Sequence, residues 1–160
     1  MSKLDAGGAT PNMQWHVLEE VIGSALHRTR RELVEHEVIV DLPSDLPLLW
    51  LDGLLMEQVI VNLLENAARH TPVGNKVFVS AMLDGTSVRI SVADNGPGFP
   101  RGTENRIFEK FYRATPSADG GRRSGLGLAI CHAIAKNHGG DIQAINRPQG
   151  GAEFVLGIPI

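Results

Sequence analysis

The sequence predicts one α/β domain in which a mixed β-sheet carries helices on one face. Apolar residues recur at helical spacing in some segments and alternate with polar residues in others. These segments do not follow the regular strand-helix-strand spacing of a doubly wound sheet. The chain has 160 residues, of which 42% are hydrophobic, so it can bury one core.

The first half of the chain predicts two helices separated by a strand. Helical spacing covers residues 15–33, with acidic side chains early and arginines late, as the helix dipole favours. Residues 38–42 alternate as a strand does and are followed by Pro43. Asp52 stands where an N-cap belongs, so the most regular helix is expected from there to about Arg69.

The second half of the chain predicts mainly strands. Asp84-Gly85 has the turn chemistry of a hairpin, and Gly139-Gly140 is typical of a helix end. The predicted strands cover residues 76–83, 87–93, 141–145 and 152–158, with a short helical piece at 107–111 and a helix at 125–137. We expect residues 15–160 to form the domain and residues 1–14 to be the tail of a preceding region.

Composition argues against several classes of protein. Fifteen basic and 18 acidic residues give a net charge of −3, which disfavours nucleic acid and anionic membrane surfaces as partners. Cys131 is the single cysteine, so an internal disulfide is excluded, and no paired zinc-ligand spacing occurs. No apolar run has the length of a membrane span, and no secretory leader is recognisable, so we expect a reducing compartment.

The first candidate site lies on the helix that follows Asp52. On a helical wheel Gln58, Asn62, Asn66 and Arg69 share one stripe. The stripe is either a solvated polar face or a place where amide oxygens bind Mg²⁺ while Arg69 faces phosphates.

The second candidate site is Asp94-Asn95-Gly96-Pro97-Gly98, at the end of a predicted strand. The prolines disfavour a plain hairpin. Asp94 could accept a hydrogen bond from the exocyclic amine of a planar heterocycle, with the glycine backbone passing close to the ring. The alternative is an ordinary turn.

The third candidate site opens the last helix with the residues Ser124, Gly125, Leu126, Gly127 and Leu128. Free N–H groups at a helix start bind anionic oxygens, although glycine at a helix start is also common. The segment has neither the dinucleotide-binding nor the P-loop pattern. The polar loop before it, with Lys110 and Arg113 at its start, is either a lid over phosphates or a surface loop.

These segments, together with Ile107-Phe108-Glu109-Lys110-Phe111 and Gly150-Gly151-Ala152-Glu153-Phe154, occur in the order found in one family. The chain resembles the catalytic, ATP-binding domain of bacterial sensor histidine kinases over roughly residues 15–160. The local sequence around Leu18, Leu63 and Asn146 resembles that of the potassium-responsive branch of the family. The resemblance implies a Bergerat-type α/β sandwich.

The resemblance also implies roles for individual residues. Asn66, helped by Asn62, would hold Mg²⁺, and Asp94 would accept from the adenine amine. His70 would lie by the ribose or adenine, at a position where many members have tyrosine. The remaining implied contacts are Arg69, Lys110 and Arg113 with phosphates, Gly96 and Gly98 at the base of the lid, and the backbone of Ser124, Gly125, Leu126, Gly127 and Leu128 around the phosphates. Asn66, Arg69 and Arg113 would be the catalytic residues.

The resemblance implies partners that this chain does not itself supply. His16, His27 and His36 lack the context of the family's phosphoacceptor, so we expect the acceptor on a separate dimerisation domain and a response regulator downstream. The chain would then be a cytoplasmic domain of an inner-membrane sensor, with no membrane contact of its own.

Two other functions stay open. ATPases of the Hsp90, gyrase and MutL kind carry a glutamate where this chain has Asn62, so efficient hydrolysis is not expected. A binding module that has lost nucleotide is disfavoured by the intact set of Asn66, Asp94 and Gly125 to Gly127.

Overall fold

A five-stranded mixed sheet forms one layer of the domain, and helices cover one of its faces. The computed structural model describes residues 10–110, 112 and 126–160. The elements are β1 (Gln14–His16), α1 (Leu18–Arg28), β2 (Glu37–Asp41), β3 (Leu49–Leu51), α2 (Gly53–His70), β4 (Lys76–Asp84), β5 (Ser87–Asp94), α3 (Gly127–Asn137), β6 (Asp141–Asn146) and β7 (Ala152–Pro159).

The strand order is β2-β4-β5-β7-β6, in which β2 and β4 are parallel and the other pairs antiparallel. Strand alternation sends one set of side chains toward the helices and the other toward solvent. Buried residues such as Val77, Ile90 and Leu156 form a single core with the apolar faces of α1, α2 and α3. The predicted mixed sheet with helices on one face is confirmed.

Several element boundaries follow the predicted local chemistry. The Asp52 side chain accepts from Leu55 N at 3.1 Å, which confirms the N-cap of α2. At the end of α3, Gly140 N donates to Ala135 O at 2.9 Å and Gly139 has φ +74°, the left-handed end expected from glycine. The Asp84-Gly85 hairpin is also confirmed, with Gly85 at φ +63°.

The predicted first helix, over residues 15–33, is too long. The structure places β1 at its start and ends α1 at Arg28. The Thr29 hydroxyl donates back to Ala25 O at 2.9 Å, and turns follow. The prediction extended the helix to Leu33 because this residue is apolar. Leu33 is indeed buried, but it lies in the turns that follow α1.

Two further predictions of secondary structure are corrected. β1 and β3 pair antiparallel in a separate two-stranded sheet, where only a connector was expected before Leu51. The short helix predicted at 107–111 is a series of turns where the structure describes it, with Arg106 N donating to Thr103 O and Glu109 N to Arg106 O. So short a segment gains too few helical hydrogen bonds to offset nucleation.

None of the helices in residues 10–110 and 126–160 is both long enough and apolar enough to cross a bilayer.

Candidate nucleotide site

Asp94, the last residue of β5, lies on the helix-facing side of the sheet and is 4% exposed. Its Oδ1 accepts from Gly96 N at 2.9 Å and from Ala152 N at 3.3 Å. Its Oδ2 takes no hydrogen bond from the part of the chain that the structure describes. The carboxylate is therefore held at one oxygen, and the other oxygen can accept from a ligand.

Gly96 brings the loop after β5 against the end of α2. A Cβ at this position would lie 2.9 Å from His70 O and 3.2 Å from Thr71 Cα. Only glycine allows this approach without a backbone shift. The contact places Asp94 beside the C-terminal end of α2.

The rest of this loop is fastened to the last two strands. Asn146 Oδ1 accepts from Phe99 N at 3.0 Å, and Asn146 Nδ2 donates to Phe99 O at 2.9 Å. A Cβ at Gly98, where φ is +78°, would meet Asn146 Oδ1. Arg147 donates to the backbone oxygen of Asp94 at 2.7 Å. The pocket wall is thus rigid before any ligand binds.

Two residues at the end of α2, His70 and Thr71, lie beside the loop that follows Asp94. Partial burial lowers the pKa of His70 below its ordinary value, while the nearby Asp94 carboxylate opposes that effect. The Thr71 hydroxyl is buried and has no hydrogen-bond partner among the described residues.

Further up α2, the predicted polar stripe has two different environments. Asn62 is 9% exposed, and its Nδ2 donates to Gly127 O at 3.2 Å. Asn66 is half-buried and makes no side-chain hydrogen bond within the described residues, and Arg69 is exposed. The stripe therefore starts between two helices and ends at the surface, which the helical wheel did not distinguish.

The start of α3 is open on the side of Gly127. Among the residues that the structure describes, a Cβ there would meet nothing closer than Asn62 Nδ2 at 4.0 Å, and its φ is not left-handed. Packing within the described residues does not require glycine at this position, so the space suits an external group approaching the backbone. Leu126 and Leu128 flank it and are half-buried.

The remaining predicted site residues lie at the end of a described range or outside the described residues. Lys110 is exposed at the end of the turns that follow Gly102. Arg113, Ser124 and Gly125 lie outside the described residues.

Sequence reasoning missed two side chains that hold the loop beside Asp94: Asn146 and Arg147. Asn146 and the Gly150-Gly151 segment entered the prediction only through the family resemblance, without a role in the site. The available signal was the polar pair Asn146-Arg147 at the end of a predicted strand. Its position near Asp94 could be recognised only once the pairing of β7 with β5 was known.

Comparison with known proteins agrees with this arrangement. The model of the histidine kinase-, DNA gyrase B- and HSP90-like ATPase family matches residues 51–160. The chain belongs to this family. Among its members, the chain is 43% identical over 160 residues to the sensor protein KdpD of Escherichia coli (strain K12). The match covers 99% of this chain and 18% of that protein, so the chain spans about a fifth of the relative's length.

Solved structures of histidine kinases share the fold. Full-length ShkA in complex with AMPPNP is 29% identical with a TM-score of 0.84, over 98% of this chain and 33% of that one. ThkA in complex with the response regulator protein TrrA is 26% identical with a TM-score of 0.77, over 92% of this chain and 41% of that one. The assignment to the catalytic, ATP-binding domains of sensor histidine kinases is confirmed.

Proposed function

We propose that the chain binds ATP with Mg²⁺ along α2 and presents the γ-phosphoryl group to a histidine on a separate dimerisation domain. One observation carries this proposal. α2 meets the Asp94 loop at His70 and the start of α3 at Asn62, and these positions are eight residues apart on one helix. At 1.5 Å per residue the separation is about 12 Å, which suits an extended nucleoside triphosphate.

The base would lie at the Asp94 end. The free Oδ2 of Asp94 would accept from the exocyclic amine of adenine, because its other oxygen is already engaged. Gly96 and Gly98 would shape the floor beside the ring, and His70 would contact ribose or adenine as a neutral imidazole. The rigid wall would discriminate against guanine, which presents an oxygen where adenine presents the amine.

The phosphates would lie at the other end. Asn66, helped by Asn62, would hold Mg²⁺, since the ion prefers oxygen ligands and keeps waters and phosphate oxygens in its shell. The described residues contain no group of three His, Cys, Asp or Glu that could hold a metal by themselves. In the proposed site, phosphate oxygens and waters would complete the shell of the ion. When bound, the ion would neutralise phosphate charge. Arg69, Lys110, Arg113 and the backbone of residues 124–128 would add further positive partners.

Transfer to an acceptor is favoured over hydrolysis. Asn62 stands one turn before Asn66, where a water-activating glutamate would be needed, and an amide does not act as a general base. A histidine nitrogen would attack the γ-phosphorus while the bond to the β-γ bridging oxygen breaks and ADP leaves. Positioning and charge neutralisation supply most of the rate in such reactions.

The wider assignments follow from the relatives. ThkA forms a complex with a response regulator protein, so we propose a response regulator as the next acceptor here. The KdpD relative supports a sensor of the potassium-responsive kind, with this chain as its cytoplasmic domain and the whole protein in the inner membrane. Residues 1–14 would lead to the dimerisation region. Asn12 N already bonds Asp52 Oδ2 at 2.8 Å, so the tail joins the domain at the base of α2.

The decisive experiment is a reconstituted transfer. The purified chain is mixed with the separately produced dimerisation domain of the same protein and with labelled Mg-ATP. Label appearing on the acceptor histidine supports the proposal. Rapid release of phosphate without labelled acceptor would indicate an ATPase, and absence of ATP binding would leave a nucleotide-free module.

A further inference from the structure

The side-chain amide of Asn62 is held from both sides. Gln58, one turn earlier on α2, donates from Nε2 to Asn62 Oδ1 at 2.7 Å, while Asn62 Nδ2 donates to Gly127 O at 3.2 Å. An amide has one acceptor end and one donor end, so these two bonds fix which way it lies.

Gln58 is itself oriented by a cation from α1. Arg28 Nη2 lies 3.5 Å from Gln58 Oε1, and Arg28 Nη1 bonds Glu57 Oε2 at 2.9 Å. Guanidinium groups only donate, so Arg28 faces the oxygen of Gln58 and leaves Nε2 for Asn62. Three successive hydrogen bonds therefore connect Arg28 on α1, Gln58 and Asn62 on α2, and Gly127 at the start of α3.

Cys131 holds α3 against α2 at a second point. It lies one turn after Gly127 and is fully buried, and its thiol donates to Val59 O on α2 at 3.7 Å. Burial raises the pKa of the Cys131 thiol to about 12. The first turn of α3 is therefore fixed to α2 at both Asn62 and Val59.

We propose that Gln58 is a positioning residue for the phosphate end of the site. By fixing the Asn62 amide, it keeps the start of α3 where its N–H groups can meet phosphate oxygens. The inference rests on the proposed function, because it assumes that phosphates bind at that helix start. Without Gln58 only the 3.2 Å bond to Gly127 O would orient the Asn62 amide, so the contact that holds the start of α3 would be weaker.

The test is a calorimetric titration of the whole chain carrying Gln58→Met, which keeps the side-chain length and removes the donor. Gln58→Leu is the second variant if Gln58→Met folds poorly. Gln143→Met, an exposed change on β6, is the matched control. Each protein is titrated with Mg-AMPPNP, with ADP in EDTA and with adenosine, and its thermal unfolding is recorded.

We expect the Gln58 variants to bind Mg-AMPPNP about three- to tenfold more weakly, the worth of one hydrogen bond, and adenosine as tightly as the wild type. The loss should persist for ADP in EDTA, because the Asn62 bond acts on the backbone of α3. A loss seen only with Mg²⁺ would overturn the inference, because Gln58 would then act only through the help that Asn62 gives to the metal. An equal loss for adenosine, or no loss, would also overturn it. Failure of the wild type to bind Mg-AMPPNP would instead refute the proposed function itself.

Discussion

The two ends of the candidate cleft differ in how much of the binding chemistry is already in place. At the base end, Asp94 is buried and held by two backbone N–H groups, and Asn146 and Arg147 fasten the surrounding loop. At the phosphate end, Asn66 is half-buried without a side-chain bond in the described residues, and Arg69 is exposed. In the proposed complex, the described residues would therefore hold the base in a preformed site, whereas the metal site at Asn66 would be completed only by the phosphates of the nucleotide.

The largest expected effect comes from removing the charge at the base end. In Asp94→Asn the amide oxygen would keep the bonds from Gly96 N and Ala152 N, so the NH₂ group would face the adenine amine. Two donors would then meet, and affinity for AMPPNP should fall by about 100-fold, the cost of a lost bond plus an unsatisfied buried donor. Calorimetric titration measures this, with Asp41→Asn at the exposed end of β2 as the control. Unchanged affinity in Asp94→Asn would place the base elsewhere.

The next largest effect is expected from Gly96→Ala, which would push the loop after β5 away from the end of α2. Gly96→Ala puts a Cβ 2.9 Å from the backbone oxygen of His70, so the two segments must move apart. The free energy of unfolding should drop by about 1–3 kcal/mol, as for other overpacked sites. Urea denaturation tests it against Gly23→Ala in α1. There no atom of the described residues lies within 4 Å of the added Cβ, and about 0.5–1 kcal/mol should be gained. Equal stability of wild type and Gly96→Ala would show that the close approach is not needed.

At the phosphate end the expected loss is smaller and conditional. Asn66→Ala removes an oxygen from the proposed metal site without adding charge. Affinity for AMPPNP should fall about tenfold when Mg²⁺ is present, the worth of an interaction with a charged group, and hardly at all in EDTA. Asn105→Ala, in the exposed turns after Gly102, serves as the control. A loss of the same size in EDTA would argue that Asn66 contacts the nucleotide directly.

The smallest effect concerns His70, which lies at the base end beside the Asp94 loop. Its folded pKa is below the ordinary value of 6.5, so on acidification the unfolded chain takes up a proton that the folded chain resists. Stability should therefore fall as the pH drops through and below 6.5. His70→Gln should make that decline shallower in chemical denaturation between neutral and mildly acidic pH. An identical pH slope in the variant would mean that this ring does not contribute.

Local chemistry made much of the fold predictable. The Asp52 cap, the Asp84-Gly85 turn and the Gly139-Gly140 helix end depend on neighbouring residues alone, and each was found in the structure. The pairing of β1 with β3 was not predictable, because it joins three-residue strands more than thirty residues apart and neither has a distinctive pattern.

The site was predictable as a set of residues but not as a set of contacts. A helical wheel put Asn62 and Asn66 on one stripe, yet it could not show that α3 covers Asn62 and leaves Asn66 open. The hydrogen bonds between Asn146 and the Phe99 backbone were not predictable for a similar reason, since they depend on β6 lying beside β7. Residues that touch across elements are determined by topology, which composition and spacing do not encode.

In the proposed complex a magnesium-bound adenine nucleotide lies along α2 with its base at Asp94. Co-crystallisation of this chain with AMPPNP and Mg²⁺ is the test of that placement. We expect the adenine amine within hydrogen-bond distance of Asp94 Oδ2 and the metal beside Asn66. A nucleotide bound with its base away from Asp94, or a cleft that stays empty at saturating nucleotide, would contradict it.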